Sequence, residues 1–244
     1  MPLLSSLNLS SRLLVPDRLV APVIVTSGLQ LHLDASYSPS YPGSGDVWTD
    51  LSGNARNGTL QGDIKFNTVN RGTLDFDGVN DYVSVDSDST LNPSYITIAA
   101  WVKLGPSGSG FVITKGYDGS DVPYSLCLDN ESGIGGMGFY TSSIGWINTF
   151  MATDIQGDNQ WHYVAGMFDG TTLSYYRDGV LEASTSAASG LTLPSTTFPL
   201  DIGRYEANAA YITGSIAAVH IYNRAISGAE MLSNFNSTKG RFGV

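Results

Sequence analysis

The chain has 244 residues, a formal net charge of −10 at pH 7 and a hydrophobic content of 42%. This composition supports a folded core, and the singly scattered Lys and Arg residues form no basic stripe for nucleic acid or anionic membranes. We therefore predict no nucleic-acid partner. No stretch approaches the ~20 apolar residues of a membrane helix, and a single cysteine, Cys127, excludes an internal disulfide.

The first 27 residues differ from the rest of the chain. They show no clear hydrophobic period, and they lack the basic start and unbroken apolar run of a signal peptide. Pro16 and Pro22 interrupt apolar patches that contain β-branched residues, which favours an extended conformation. We predict an N-terminal arm over residues 1–27 that orders on a partner, and a folded domain over residues 28–244. The alternative for the arm is a terminus without a partner.

From Gly28 onward, short apolar runs alternate with turn residues. Leu29, Leu31 and Leu33 alternate with polar residues, which predicts a half-buried strand ending at Asp34. Further strands are predicted at roughly ten-residue spacing: Thr73–Phe76, Tyr82–Val85, Ile96–Leu104, Phe111–Thr114, Tyr124–Leu128, Gly138–Tyr140, Trp146–Met151, Trp161–Phe168, Leu173–Arg177, Val180–Ser184, Leu200–Gly203 and Gly214–Tyr222.

Asp-Gly pairs separate several of these runs and favour hairpin turns; they are Asp77-Gly78, Asp118-Gly119, Asp169-Gly170 and Asp178-Gly179. Ser227 and Glu230 have the capping-box spacing, which predicts one short helix near residues 227–236. Many short strands without interleaved helices predict an all-β fold, a two-sheet antiparallel β-sandwich with one short C-terminal helix.

Several motifs follow the order found in one family. Residues 74–83 (LDFDGVNDYV), 96–103, 161–165, 175–179 and 214–226 resemble the signatures of laminin-G-like, concanavalin A-like jelly-roll domains. The resemblance runs from about residue 28 to 236 and implies a jelly roll. The head of the domain, residues 28–54, resembles single-domain versions in virion proteins of tailed bacteriophages.

Catalytic patterns are missing from the sequence. The glutamates Glu131, Glu182, Glu206 and Glu230 are far apart, whereas glycoside hydrolysis in relatives of this fold uses carboxylates on alternate residues of one strand. His32, His162 and His220 all lie in predicted strands, where structural histidines are common, and no nucleophile elbow or zinc spacing is present. We predict a protein that is not an enzyme.

A calcium site is the strongest metal hypothesis. Asp77, Asn80 and Asp81 place hard oxygen donors in one tight turn, and Ca²⁺ takes such ligands. The family resemblance implies a calcium ion at the rim of the sandwich, with Asp77 and Asp81 as the matching ligands. The alternative is an Asx turn without metal.

Aromatic residues in or near loops are candidates for stacking on sugar rings; they are Tyr37, Tyr41, Tyr140, Trp146 and Tyr205. The other tryptophans, Trp48, Trp101 and Trp161, are predicted to belong to the core.

Two functional interpretations follow, neither of them enzymatic. The phage resemblance implies a homo-oligomeric structural or decoration protein at the virion surface. Its arm, residues 1–27, would attach to a viral shell or tail protein, and its sandwich would face a host surface glycan. The alternative is an extracellular carbohydrate-binding module, with or without calcium.

Overall fold

The computed structural model describes residues 23–105, 110–117, 121–128, 136–150, 155–187, 190–205 and 210–244. Its strands in these ranges are β1 (Leu29–Asp34), β2 (Val47–Trp48), β3 (Gly58–Gln61), β4 (Lys65–Asn67), β5 (Thr73–Asp77), β6 (Tyr82–Val85), β7 (Ile96–Leu104), β8 (Gly110–Lys115), β9 (Val122–Leu128), β10 (Gly136–Thr141), β11 (Gly145–Phe150), β12 (His162–Phe168), β13 (Thr172–Arg177), β14 (Val180–Ser186), β15 (Leu200–Ile202), β16 (Arg204–Tyr205), β17 (Ala210–Tyr211) and β18 (Thr213–Tyr222). One α-helix, α1 (Gly228–Thr238), follows them. The predicted all-β sandwich with a short C-terminal helix is confirmed.

The strands form two antiparallel sheets and a small hairpin. Sheet 1 has the order β14-β13-β12-β7-β18-β5-β4, with β1 also paired to β18. Sheet 2 has the order β11-β10-β9-β8-β15-β6-β3-β2, and β16 pairs with β17 alone. The long strand β18 pairs with β7 along one edge, and with β5 and then β1 along the other.

The main core lies between the two sheets. Alternate residues of β7 point into it, namely Ile96, Ile98, Ala100, Val102 and Leu104, and all are buried. From the opposite side, sheet 2 contributes the inward residues of its own strands, which include Tyr124, Leu126, Met137, Phe139, Val83 and Val85. This interdigitation of two inner faces is the usual core of a β-sandwich.

A second apolar cluster covers the outer face of sheet 1. The intervening residues of β7, such as Trp101, point away from the main core and pack against α1. The helix begins with the predicted capping box, in which Ser227 and Glu230 each accept the other's backbone N–H. Trp101 Nε1 donates to Thr238 Oγ1 at 2.8 Å, and its ring stacks on Phe242 with the centroids 4.1 Å apart. Sheet 1 is therefore buried on both faces.

Sequence patterns located the long strands and two short ones, β6 and β15, but missed five other short strands. Strands β2, β3, β4, β16 and β17 have two to four residues each, too few for an alternation to be recognised. Asp178-Gly179 is the turn of the β13–β14 hairpin, and both residues have positive φ, 53° and 79°. Asp77-Gly78 is not a hairpin turn, because β5 belongs to sheet 1 and β6 to sheet 2.

The described end of the predicted arm packs against the domain. The Val25 N–H donates to Asn234 Oδ1 at 2.8 Å, and Arg224 Nε donates to the Ser27 carbonyl at 2.9 Å. Residues 1–22 lie outside the described residues, so the arm stays a prediction. Within the described ranges, no helix is both long and apolar enough to span a membrane.

Two tryptophans should differ sharply in their effect on stability. Trp101→Ala removes a fully buried indole, its stack on Phe242 and its hydrogen bond to α1, and we expect it to lower the free energy of unfolding by about 3–5 kcal/mol. Trp146→Ala removes an exposed ring and should cost less than about 1 kcal/mol. Urea unfolding of both variants measures the difference, and equal losses would contradict this account of the second cluster.

Candidate functional site

The outer face of sheet 2 is the part of the sandwich that the described helix does not cover. Along β9, Tyr124, Leu126 and Leu128 point into the core, so Ser125 and Cys127 point outward. On β10 the inward residues are Met137 and Phe139, which leaves Gly136, Gly138 and Tyr140 outward. The outward side chains at the centre of this face are therefore small, and Ser125 and Cys127 are buried. The larger outward side chains lie around them.

Four aromatic residues on this face form a continuous group, the aromatic platform: Phe111, Tyr140, Trp146 and Tyr205. Tyr140 and Trp146 are cross-strand partners on β10 and β11, with ring centroids 5.6 Å apart. Trp146 and Tyr205 meet edge to face at 6.3 Å, and Tyr205 packs on Phe111 at 4.7 Å. Trp146 is 41% exposed, although it lies within a strand and has aromatic neighbours on two sides.

The β16–β17 hairpin positions Tyr205 in the platform. On the hairpin's other side, the Arg204 guanidinium lies 3.6 Å from the ring centre of Tyr82, and Arg204 Nε donates to Asp201 Oδ2 at 2.7 Å. The Tyr82 and Tyr211 rings are also in contact, at 6.4 Å. These contacts anchor the hairpin, and the anchored hairpin places Tyr205 beside Trp146.

Three of the five predicted sugar-stacking residues thus come together, and two do not. Tyr140, Trp146 and Tyr205 belong to the aromatic platform, in which Trp146 is exposed, Tyr140 is half-buried and Tyr205, only 8% exposed, supports its neighbours. Tyr41 is only 3% exposed, packs on Phe66 in the main core and donates its hydroxyl to the Gly45 carbonyl. Because its ring faces the core, Tyr41 has no surface for a sugar. Tyr37 is half-buried and lines a separate pocket with His32 and Leu51.

Sequence reasoning missed Phe111, which completes the platform. It also left out Asn148 and Phe150, which lie on the same strand as Trp146. The alternation of Trp146, Asn148 and Phe150 in a predicted strand is the signal that groups them.

The predicted calcium turn is organised by backbone hydrogen bonds. Asp81 is buried, and its carboxylate oxygens accept the N–H groups of Asp63 at 2.7 Å and Asp77 at 3.1 Å. Asp77 Oδ1 accepts the Val79 N–H at 2.8 Å, which is an Asx turn. Among the described residues, no group of three or more His, Cys, Asp or Glu is placed to hold a metal ion.

These contacts fit the Asx turn better than a cage of calcium ligands. The buried carboxylate is already engaged by amide N–H groups, whereas Asp77 and Asn80 are exposed. No step of the proposed function below depends on calcium, and calcium binding stays a prediction.

Asp81 should stabilise the domain without any metal. We expect Asp81→Ala to lower the free energy of unfolding by about 1.5–3 kcal/mol in the presence of a chelator, because two backbone N–H groups lose a charged acceptor. Asp77→Ala is the matched control, and it should cost less because it removes one exposed contact. Thermal melts of both variants, with Ca²⁺ and with chelator, test this. A calcium-dependent rise in Tm that disappears in Asp77→Ala would instead show a metal site.

Several of the described acidic residues outside this turn have structural contacts. Glu230 pairs with Arg224 and caps α1, and these contacts lower the pKa of its carboxyl to about 2. Glu182 pairs with Arg177 at 3.1 Å. Asp75 accepts the Ser215 hydroxyl at 2.6 Å. Glu131 and Glu206 lie outside the described residues. Among the described carboxylates named here, none is paired across an open cleft as glycoside hydrolysis requires.

The three histidines fall into two different environments. His32 and His220 are cross-strand neighbours on β1 and β18, with ring centroids 4.9 Å apart and Nε2 atoms that are buried without a hydrogen-bond partner. Burial lowers the pKa of both rings. His162 instead lies between Asp178 and Asp158, with 2.8 Å from a ring nitrogen to each carboxylate. Burial alone lowers its pKa, but the two carboxylates outweigh burial and raise it.

Acid should destabilise the domain through His32 and His220. Burial in the folded state disfavours their charged form, so the unfolded chain takes up protons at a higher pH than the folded domain. The folded state is therefore not penalised above pH 6.5, and it loses stability as the pH falls below that value. The slope is at most about 1.4 kcal/mol per pH unit for each ring. His162 has the opposite sign, because its contribution is complete below pH 6.5 and is lost as pH rises through its raised pKa.

Urea unfolding between about pH 7.5 and 5 separates the two signs. In His162→Gln the loss of stability on acidification should be steeper than in the wild type. A stability of His162→Gln that does not change over this range would contradict the assignment.

The fold defines the class of protein, a lectin-like jelly roll. The chain belongs to the concanavalin A-like lectin/glucanases superfamily, whose Laminin_G_3 model matches residues 77–231. A relative by sequence is adhesion G-protein coupled receptor V1 of Danio rerio, 25% identical over 160 residues. This match covers 62% of the chain but only 2% of the receptor.

Solved structures of similar fold include three domains of larger proteins. The binding domain of Paraclostridial Mosquitocidal Protein 1 has a TM-score of 0.69 at 15% identity, over 86% of this chain and 52% of that one. Domain 4 of the extracellular arabinanase AbnA from Geobacillus stearothermophilus, solved with arabinotriose, has a TM-score of 0.67 at 17% identity, over 85% of this chain and 98% of that one. The binding domain of Botulinum Neurotoxin DC, in complex with SialylT, has a TM-score of 0.67 at 14% identity, over 87% of this chain and 52% of that one. At these identities the likeness concerns the fold.

Proposed function

We propose that this chain is a non-enzymatic carbohydrate-binding domain whose glycan ligand stacks on the aromatic platform of sheet 2. The observation that carries this proposal is the exposure of Trp146 beside Tyr140 and Tyr205. The C–H face of a sugar ring is apolar and complements the negative face of an aromatic ring, while sugar hydroxyls reach polar groups nearby. Two of the similar structures were solved with glycan-type ligands, arabinotriose and SialylT, which supports the same ligand class here.

The charges around the platform favour a neutral glycan. Lys115 is the only charged residue in strands β8–β11. It is buried, and its Nζ donates to the Phe198 carbonyl at 2.7 Å. The chain as a whole carries a net charge of −10, which repels anionic ligands. The face offers aromatic rings and uncharged polar groups, and these suit hydroxyl-rich, uncharged chains.

The proposal of a binding domain without catalysis rests on the acidic residues. Glu182 and Glu230 are engaged in ion pairs, with Arg177 and Arg224 respectively. A glycan bound at Trp146 meets no charged side chain of β8–β11 that could act as a general acid or base.

The virion interpretation stays a prediction. It depends on attachment through residues 1–27, of which 1–22 lie outside the described residues. Residues 23–27 pack beside α1 on the sheet 1 side, whereas the proposed glycan-binding platform lies on sheet 2. This arrangement is compatible with a virion surface protein and with an extracellular module.

A glycan array tests the proposed function. We expect the wild-type protein to retain neutral glycans, and Trp146→Ala to weaken that binding at least about tenfold, because a loss of 1.4 kcal/mol is tenfold in affinity. Tyr95→Ala is the matched control, since Tyr95 is a 50% exposed aromatic residue adjoining β7 of sheet 1. Retained glycans should remain uncleaved after incubation. Equal binding by Trp146→Ala and wild type, or release of shortened glycan, would contradict the proposal.

A further inference from the structure

Strand β11 carries a row of outward side chains beyond Trp146. Ile147 packs against the main core and Thr149 is buried, so Trp146, Asn148 and Phe150 point outward together. We call these three residues the outward row. Phe150 is 46% exposed and, unlike Trp146, has no aromatic contact with another described residue.

The strand beside the outward row keeps it accessible. In the β10–β11 register, Trp146 faces Tyr140, but Asn148 faces Gly138 and Phe150 faces Gly136. A Cβ atom at Gly138 would lie 1.9 Å from Asn148 Oδ1, so any other residue there would displace this amide. Because their cross-strand partners on β10 are glycines, no β10 side chain covers Asn148 or Phe150.

The polar member of the row is available for a ligand. The Asn148 side chain makes no hydrogen bond to any residue in the described parts of the chain. It is partly exposed and offers both a donor and an acceptor between two aromatic rings. A side-chain amide of this kind is suited to the paired hydroxyls of a sugar.

The spacing of the row decides how much of a glycan it can contact. A β-strand rises about 3.3 Å per residue, so the Cα atoms of Trp146 and Phe150 lie about 13 Å apart. One sugar ring stacked on Trp146 does not reach Phe150. A chain of several sugars lying along β11 contacts both rings, and the second contact adds affinity with little further loss of translational freedom.

We propose that the outward row is a linear binding track for an extended neutral oligosaccharide. Trp146 and Phe150 form two stacking subsites, and Asn148 binds hydroxyls between them. This inference rests on the proposed function and adds the ligand's shape: an internal stretch of a polysaccharide chain that runs along β11, not a single terminal sugar. It also assigns a role to Phe150, at the far end of the strand from the aromatic platform.

The test is a length series. Affinities are measured by calorimetry for cello- and arabino-oligosaccharides of one to six units, and for oligomers of any neutral glycan retained on the array. The wild type should gain at least about tenfold in affinity from the shortest to the longest oligomer of the ligand it binds. Phe150→Ala should remove most of that gain and leave the shortest oligomer within about twofold of wild type. Trp146→Ala should weaken every length.

Two controls separate binding from folding. Ile144→Ala removes a 56% exposed apolar side chain next to β11 that lies outside the row, and it should bind as the wild type does. Phe150→Tyr keeps a stacking ring and should restore the dependence on length. Circular dichroism and urea unfolding show whether each variant is folded.

The possible failures are distinct. If the wild type binds and Trp146→Ala does not, but Phe150→Ala matches the wild type at every length, the binding track is wrong and the proposed function stands. If the wild type binds no oligomer and no array glycan, both fail. If light scattering shows dimers that Phe150→Ala dissociates, and affinity does not depend on length, the row is an interface between two copies and the track is wrong.

Discussion

The pairing of β7 with β18 at the centre of sheet 1 is the interaction on which the rest of the domain depends. β7 is buried at eight of its nine residues and β18 at seven of its ten. In a strand buried on one face only, apolar and polar residues alternate. β7 and β18 instead carry apolar residues on both faces, so both faces must be packed against other elements. Their inner residues form the main core with sheet 2, and their outer residues, such as Trp101 and Tyr222, need a second layer. The outer layer is therefore as necessary to the fold as the sandwich itself.

The chain builds this second layer from its two ends. Helix α1 covers the outer face, and Asn234 of the helix donates to the Tyr222 hydroxyl while accepting from the Val25 N–H. Arg241 then ties the C-terminal turn to β1 through a buried ion pair with Asp34 at 2.9 Å. Removing one partner of a buried ion pair leaves a charge without compensation, so this contact holds the C-terminal turn in one position. The lowered pKa of His220 reflects the same dry layer.

The second layer covers the outer face of sheet 1, and the exposed Trp146 lies on the outer face of sheet 2. The two sheets use the same residue type for opposite purposes: Trp101 is fully buried and holds the helix, whereas Trp146 is exposed and holds nothing in the second layer. Under the proposed function, stability and binding depend on different tryptophans. The glycines of β10 serve both, because they border Asn148 and Phe150 and also lie in the strand ladder.

The sequence alone determined the fold class and most long strands, because alternation and capping are local properties. Leu29, Leu31 and Leu33 specify a strand whatever surrounds them, and Ser227 with Glu230 begins a helix through contacts within one turn. It also indicated Trp48, Trp101 and Trp161 as core residues, and all three are buried. Only the tertiary structure decided which aromatic side chains are exposed together. Tyr41 and Trp146 both stand near turn-rich segments, yet Tyr41 fills a gap beside Phe66 while Trp146 meets Tyr205 from a strand distant in sequence. Exposure and contact between distant strands depend on how the two sheets and the β16–β17 hairpin pack, and no local pattern of residues contains that information.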